Sequence, residues 1–197
     1  MISRGDSPGG SFFVGEKIMK NVLIACVVAG VASAQVPMSP PTTARWQESP
    51  FWQGGEEWAR IGKDWMHPGD SSDVMRVWTA PKDGSVAIAG VVRKLDTKGG
   101  DGVTAKILLG TKELASVSIA KDDAAGKELA ATAAVKKGQR VCFLLNRRQS
   151  HANDTTGWDP VVTYADGETS RASEAFGSAQ GKNGWTYEQP GAAKSEP

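Results

Sequence analysis

Apolar and polar positions alternate in short runs through most of this chain, and each run ends in a turn signal. "DVMRVWTA" is one such run. It closes at Pro81, which has no N–H to give to a ladder. "KDG" then turns the chain into "SVAIAGVVRKLD", and "TKGGDG" turns it into "VTAKILLG". There Val103, Ala105 and Ile107 alternate with Thr104 and Lys106, the period of a strand with one wet face. "GTK" leads into "ELASVSIA", and the loop "KDDAAGK" follows. The alanines of "ELAATAAV" also suit a helix. A strand is expected, because "KKGQ" leads straight into the apolar run "RVCFLLN", and strand, Lys-Gly turn and strand make a hairpin. "EEWARIG" reads as the first strand and "WDPVVTYA" as the last, after the polar loop "RRQSHANDTTG". About eight antiparallel strands without a convincing helix predict an all-β fold, a jelly-roll β-sandwich. Its core should hold Trp78, Val86, Ile88, Ile107, Val141, Phe143 and Val161.

The first 34 residues follow another pattern. From Met19, "MKNVLIACVVAGVASAQ" has a basic start, an apolar run from Val22 to Val31 and a small-x-small end, Ala32-Ser33-Ala34. This is the layout of a secretory signal peptide, and the run is too short to span a bilayer. "GEKIM" back-translates to a purine-rich stretch ahead of the Met19 codon, so Met19 is the expected start and residues 1–18 an untranslated leader. Residues 35–44 are Pro-rich and read as a linker, 45–166 as the sandwich, and 167–197 as a polar tail.

Composition narrows the function. Removing the three basic and two acidic residues of the first 34 from chain totals of 23 and 22 leaves 20 of each. A neutral exported chain has no electrostatic reason to seek nucleic acid or an anionic membrane. The only cysteine left is Cys142, in "VCFLL", where it reads as a small core residue. His67 and His151 lie in no metal-ligand spacing, no serine sits in a nucleophile elbow, and no helix pattern follows "GGDG" to build a phosphate loop. An enzyme is not expected.

Two groups carry candidate chemistry. Asp96 and Asp101 in "LDTKGGDG", and Asp154 and Asp159 in "NDTTGWDP", lie in loops at strand ends. Calcium accepts carboxylates and carbonyls from such loops. Asx turns, in which aspartates bond their own loop amides, are the competing reading. The second group is aromatic: Trp46, Phe51, Trp52, Trp58, Trp65, Trp78 and Trp158. An indole stacks on a sugar ring as readily as it fills a core. Trp78, inside a strand, reads as core. Trp65 and Trp158, beside polar turns, are open to either role.

The ordered segments "WARIGKDWMHPG", "VMRVWTAPKDGSVAIAGVVRKLDTKGGDGVTAKI", "VKKGQRVCFLLN" and "NDTTGWDPVVTY" resemble a bacterial extracellular β-sandwich module of the galactose-binding-like, carbohydrate-binding type. The resemblance covers about Trp52 to Tyr164. Such modules stand in tandem or beside glycoside hydrolase or polysaccharide lyase domains. The resemblance implies a secreted, periplasmic or cell-surface glycan binder without its own chemistry. The candidate ligand residues are Trp65, His67, Arg93 and Trp158, the loop aspartates make calcium the candidate cofactor, and a monomer is expected. The alternative is a structural or adhesion sandwich that binds no sugar. The pair Arg147-Arg148 departs from the small polar run expected in its loop, and "ASEAFGSAQGKNGWTYE" resembles the opening of a next unit.

The signal pattern yields a direct test. Intact-mass analysis of the exported protein should find its N-terminus at Gln35. A lipid-modified chain beginning at Cys26 would contradict the cleavage site.

Overall fold

The alternating runs become strands because each has one apolar face to bury and backbone groups that only a ladder satisfies. The computed structural model describes residues 35–42 and 50–190, all within the compact unit Ala32–Pro197. The signal segment, Cys26 and Trp46 lie outside the described residues. The strands are β1 (Gln35–Pro37), β2 (Ser39–Thr42), β3 (Phe51–Gln53), β4 (Arg60–Ile61), β5 (Trp65–His67), β6 (Val74–Thr79), β7 (Gly84–Lys94) and β8 (Val103–Leu109). They continue as β9 (Lys112–Ile119), β10 (Lys127–Val135), β11 (Arg140–Asn146), β12 (Thr156–Trp158), β13 (Val161–Tyr164), β14 (Thr169–Arg171) and β15 (Trp185–Pro190). One helical turn, α1 (Ala172–Ala175), follows β14.

The fold is the expected all-β sandwich of two antiparallel sheets, with more and shorter strands than the pattern suggested. One sheet runs β1-β15-β6-β11-β8-β9. In the other, β10 covers one edge of β7 along its length. On the opposite edge β13 pairs with Val86–Ala89 and leads to β14, while β12 pairs with Val92–Lys94 and leads through β5, β4 and β3 to β2. Thus "WDPVVTY" is two strands, not one. Asp159-Pro160 interrupts it, and Gly90 faces the break, where a Cβ would stand 3.1 Å from Trp158 Nε1 and 3.2 Å from Pro160 Cα. "EEWARIG" contributes only Arg60 and Ile61.

The core follows the predicted alternation at Trp78, Val86, Ile88, Ile107, Val141 and Phe143. Val161 is a correction: it is half-buried and Val162 takes the core position, so that strand is turned by one residue. Cys142 is buried on the other face of its sheet, with Met75 and Val77, and burial pushes its thiol up to about 11.

Two expected boundaries move. Residues 35–42 are strands rather than a linker, and Met38, between β1 and β2, is buried and donates its N–H to the Tyr187 carbonyl at 3.1 Å. Residues 169–190 complete this sandwich and do not open another. β15 lies between β1 and β6, and its alternate residues Trp185 and Tyr187 enter the core. Trp185 stacks on Phe143 with centroids 5.4 Å apart, and Tyr187 on Trp52 at 5.1 Å.

Ending the chain at residue 166 should therefore abolish cooperative unfolding. Trp185→Ala should cost about 3–5 kcal/mol, the range for truncating a buried aromatic. Urea denaturation checks both, and a sharp, unshifted transition without residues 167–197 would contradict the tail's place in the core.

Candidate functional site

On the nine-stranded sheet, strand alternation sends Trp52, Ile61, Met66, Val92 and Trp158 into the core. Their neighbours point outward. Register then aligns three of them in one row, because Gly157 pairs with Trp65 on one side and Arg93 on the other. A glycine beside a guanidinium leaves a notch, which the Trp65 indole does not line. The cleft there has a volume of about 240 Å³ and is lined by Asp64, Val91, Arg93, Leu95, Gly157, Trp158 and Asp159. Val91 and Leu95 are 51% and 45% exposed, unusual for large apolar residues. A Cβ on Gly157 would sit 3.2 Å from Leu95 Cδ2 and 3.4 Å from Arg93 Cγ, so any side chain there fills the notch.

Of the four candidate ligand residues, this row unites Trp65 and Arg93. Trp65 is half-buried. Its indole lies over Gly62, where a Cβ would come within 2.1 Å of Nε1, and its centroid is 6.0 Å from Phe51. Trp158 is a correction: it is 1% exposed and edge-on to Phe143 at 5.6 Å, so its indole has no face for a ligand. His67 is also turned away from ligand, at 4% exposure. Its Nδ1 donates to the Pro68 carbonyl at 2.7 Å, and its ring lies 5.4 Å from Trp58 and 6.2 Å from His151.

Trp58, one of the aromatic group but not a candidate ligand residue, is 37% exposed. The Arg60 guanidinium lies 4.6 Å from its ring centroid and 4.9 Å from that of Phe51. No sequence signal singles out Asp64, whose carbonyl accepts the Trp158 N–H at 2.9 Å and holds β12 beside the β4–β5 turn. No periodicity marks either residue, because both lie in loops.

The candidate metal residues do not form one group. Asp159 caps α1: it accepts the Ser173 N–H at 2.9 Å, the Ser173 hydroxyl at 2.8 Å and Arg171 Nη1 at 3.1 Å. Asp96 makes an Asx turn with the Lys98 N–H at 3.0 Å and accepts Asn153 Nδ2 at 3.0 Å. These bonds, Asn153 first, hold its carboxyl below the usual range. Asp101 accepts the Gln149 N–H at 3.1 Å. Asp154 is fully buried against Lys94, Oδ1 to Nζ 2.8 Å, and the same ammonium donates to the Asn153 carbonyl at 2.7 Å. Burial pushes the Asp154 carboxyl up to about 6, against the pull of Lys94. Among the described residues no group of three or more His, Cys, Asp or Glu side chains has the geometry of a metal site.

No protein-family model and no curated protein matches the sequence. Among the described residues no helix is long and apolar enough to cross a membrane.

Burial, offset by the bond to Pro68, lowers His67 to about 4. Unfolded, it would titrate near its ordinary 6.5. The unfolded chain then binds the extra proton between these values, so this contribution is complete above pH ~6.5 and is lost as pH falls toward ~4. The loss should reach about 3 kcal/mol. Urea midpoints at pH 7 and 4.5 should fall further for the native protein than for His67→Gln. Equal slopes would show that His67 does not sense pH.

Proposed function

We propose that this protein is an exported, non-catalytic glycan-binding β-sandwich that holds its ligand on the outer face of the nine-stranded sheet. The observation that supports this reading best is the cleft beside Gly157 and Arg93, in the row that continues to Trp65. A sugar ring has apolar C–H faces and hydroxyls that both donate and accept. The cleft offers both kinds of surface: exposed Val91 and Leu95, the Arg93 donors, and the acceptor Asp64. The Arg93 guanidinium makes no hydrogen bond or ion pair with another described residue, so its donors are available to a ligand. The charges in the cleft are mixed, which suits a neutral sugar better than a polyanion. The resemblance to galactose-binding-like modules supports the same class.

The test is retention on a panel of insoluble polysaccharides and by affinity electrophoresis. Arg93→Ala should weaken retention roughly tenfold or more, as expected for losing hydrogen bonds to a charged group at about 1.5–3 kcal/mol. Gly157→Leu should abolish it by filling the notch. Arg93 is exposed, so its variant should keep the native melting temperature; Gly157 is buried beneath Leu95 and the Arg93 stem, so retention of its variant is read only after its melting curve shows a folded protein. If no polysaccharide retains the native protein, or both variants bind as it does, the glycan reading fails. The adhesion reading would then be preferred. The flat surface of Ala87, Ala89, Ala130, Thr132 and Ala134 on β7 and β10 suits a protein contact.

A further inference from the structure

Lys94 is the last residue of β7, and the strand's alternation turns it inward, beneath the loops 95–102 and 147–155. Its ammonium is fully enclosed. Its two acceptors, the Asp154 carboxylate and the Asn153 carbonyl, are the kinds of oxygen that a loop-bound calcium ion collects. Around it the loops are clasped directly. Asp96 accepts from Asn153, Asp101 accepts the Gln149 N–H, and the Asp101 carbonyl accepts Arg148 Nη1 at 2.8 Å. Gly100, at φ +82°, brings the loops so close that a Cβ would stand 2.2 Å from the Ala152 carbonyl oxygen. Two carboxylate oxygens in this clasp, Asp154 Oδ2 and Asp101 Oδ1, are buried and have no hydrogen-bond partner among the described residues.

These residues do not fit a divalent ion beside Lys94. An ammonium already neutralises Asp154, and a second positive charge brought to the same oxygens would meet it at close range in a desolvated site. We infer that the Lys94 ammonium does the work of a loop cation: it is the covalently attached counter-ion on which the two loops close, and the fold needs no calcium. The corollary is a latent site. Without the ammonium, the Asp154 carboxylate and the Asn153 carbonyl face a space with an uncompensated negative charge, which a hard divalent cation would fill.

The inference is independent of the glycan reading, and its readout is stability. Thermal melts of the native protein in excess EDTA and in millimolar CaCl₂ should coincide within about 1 °C, whereas a structural ion at saturation would separate them by roughly 5–10 °C. Lys94→Ala should melt lower in EDTA and regain several degrees in CaCl₂. Asp154→Asn, which strands the ammonium, should melt lower in both buffers alike. A native protein whose melting temperature falls on chelation would overturn the inference, and that comparison does not require the variants to fold. A Lys94→Ala protein that folds but ignores calcium would overturn the latent site.

Discussion

A guanidinium rooted in one sheet is solvated by the other. Arg76 sits on β6, in the middle of the six-stranded sheet, and points into the sandwich between Val74 and Trp78. It is fully buried. Nη2 donates to the carbonyls of Gly62 at 2.8 Å and Trp65 at 3.2 Å, and Nη1 to that of Lys63 at 3.0 Å. These three carbonyls belong to the β4–β5 turn of the opposite sheet. No ion pair of Arg76 with a carboxylate is found within the described residues, so carbonyl dipoles carry the solvation of the charge. Burial lowers its pKa to about 10, which leaves it charged at neutral pH. Charged hydrogen bonds are worth more than neutral ones, and a buried cation stripped of its acceptors is costly. The turn therefore has one place to sit. That place sets Trp65 over Gly62 and brings β5 beside β12.

The outer row follows from this. Once β5 is fixed, the ladder from Met66 through Thr156 to Lys94 forms the inward rung, and Trp65–Gly157–Arg93 is the outward rung beside it. The inward rung ends on the Lys94–Asp154 pair. A buried pair of this kind contributes little net stability, because desolvation offsets most of the attraction. Its effect is positional: any slip of β12 along β7 would separate the charges in a dry site. Two buried cations, one central and one at the end of the sandwich, thus fix the register of a sheet whose short strands would specify it poorly.

How much of this was legible depended on whether a signal was local. The long strands were, because burial on one face imposes a period of two over seven to eleven residues. The two- and three-residue strands were not, since no period is visible at that length and pairing with neighbours defines them. The tail's place is not local either: "WTYE" alternates plainly, but the gap between β1 and β6 that it fills exists only in the folded sheet. Arg76 was hidden by its context. In "VMRVW" both faces are largely apolar, so nothing local shows whether Arg76 or its neighbours turn inward. Trp65 and Arg93 were legible as candidate ligand residues. Gly157 was not, since its part is to be absent from a row that only the register creates.

The aspartates and Trp158 show how the same residue types separate by direction. Asp159, Asp154, Asp101 and Asp96 all stand in Gly- or Thr-containing loops at strand ends, and in one dimension they are equivalent. In the fold Asp159 turns to α1, Asp96 to a loop amide and Asp154 to an ammonium, according to which donor each loop meets. Trp158 and Gly157 are adjacent, and the pleat sends one into the core and turns the other to the outer face, beneath Leu95 and the Arg93 stem. A flat indole at residue 158 therefore could not be both core filler and sugar platform. Its burial against Phe143 anchors β12 so that the residue before it can be small, and the open space on this sheet face follows from the packing on the other.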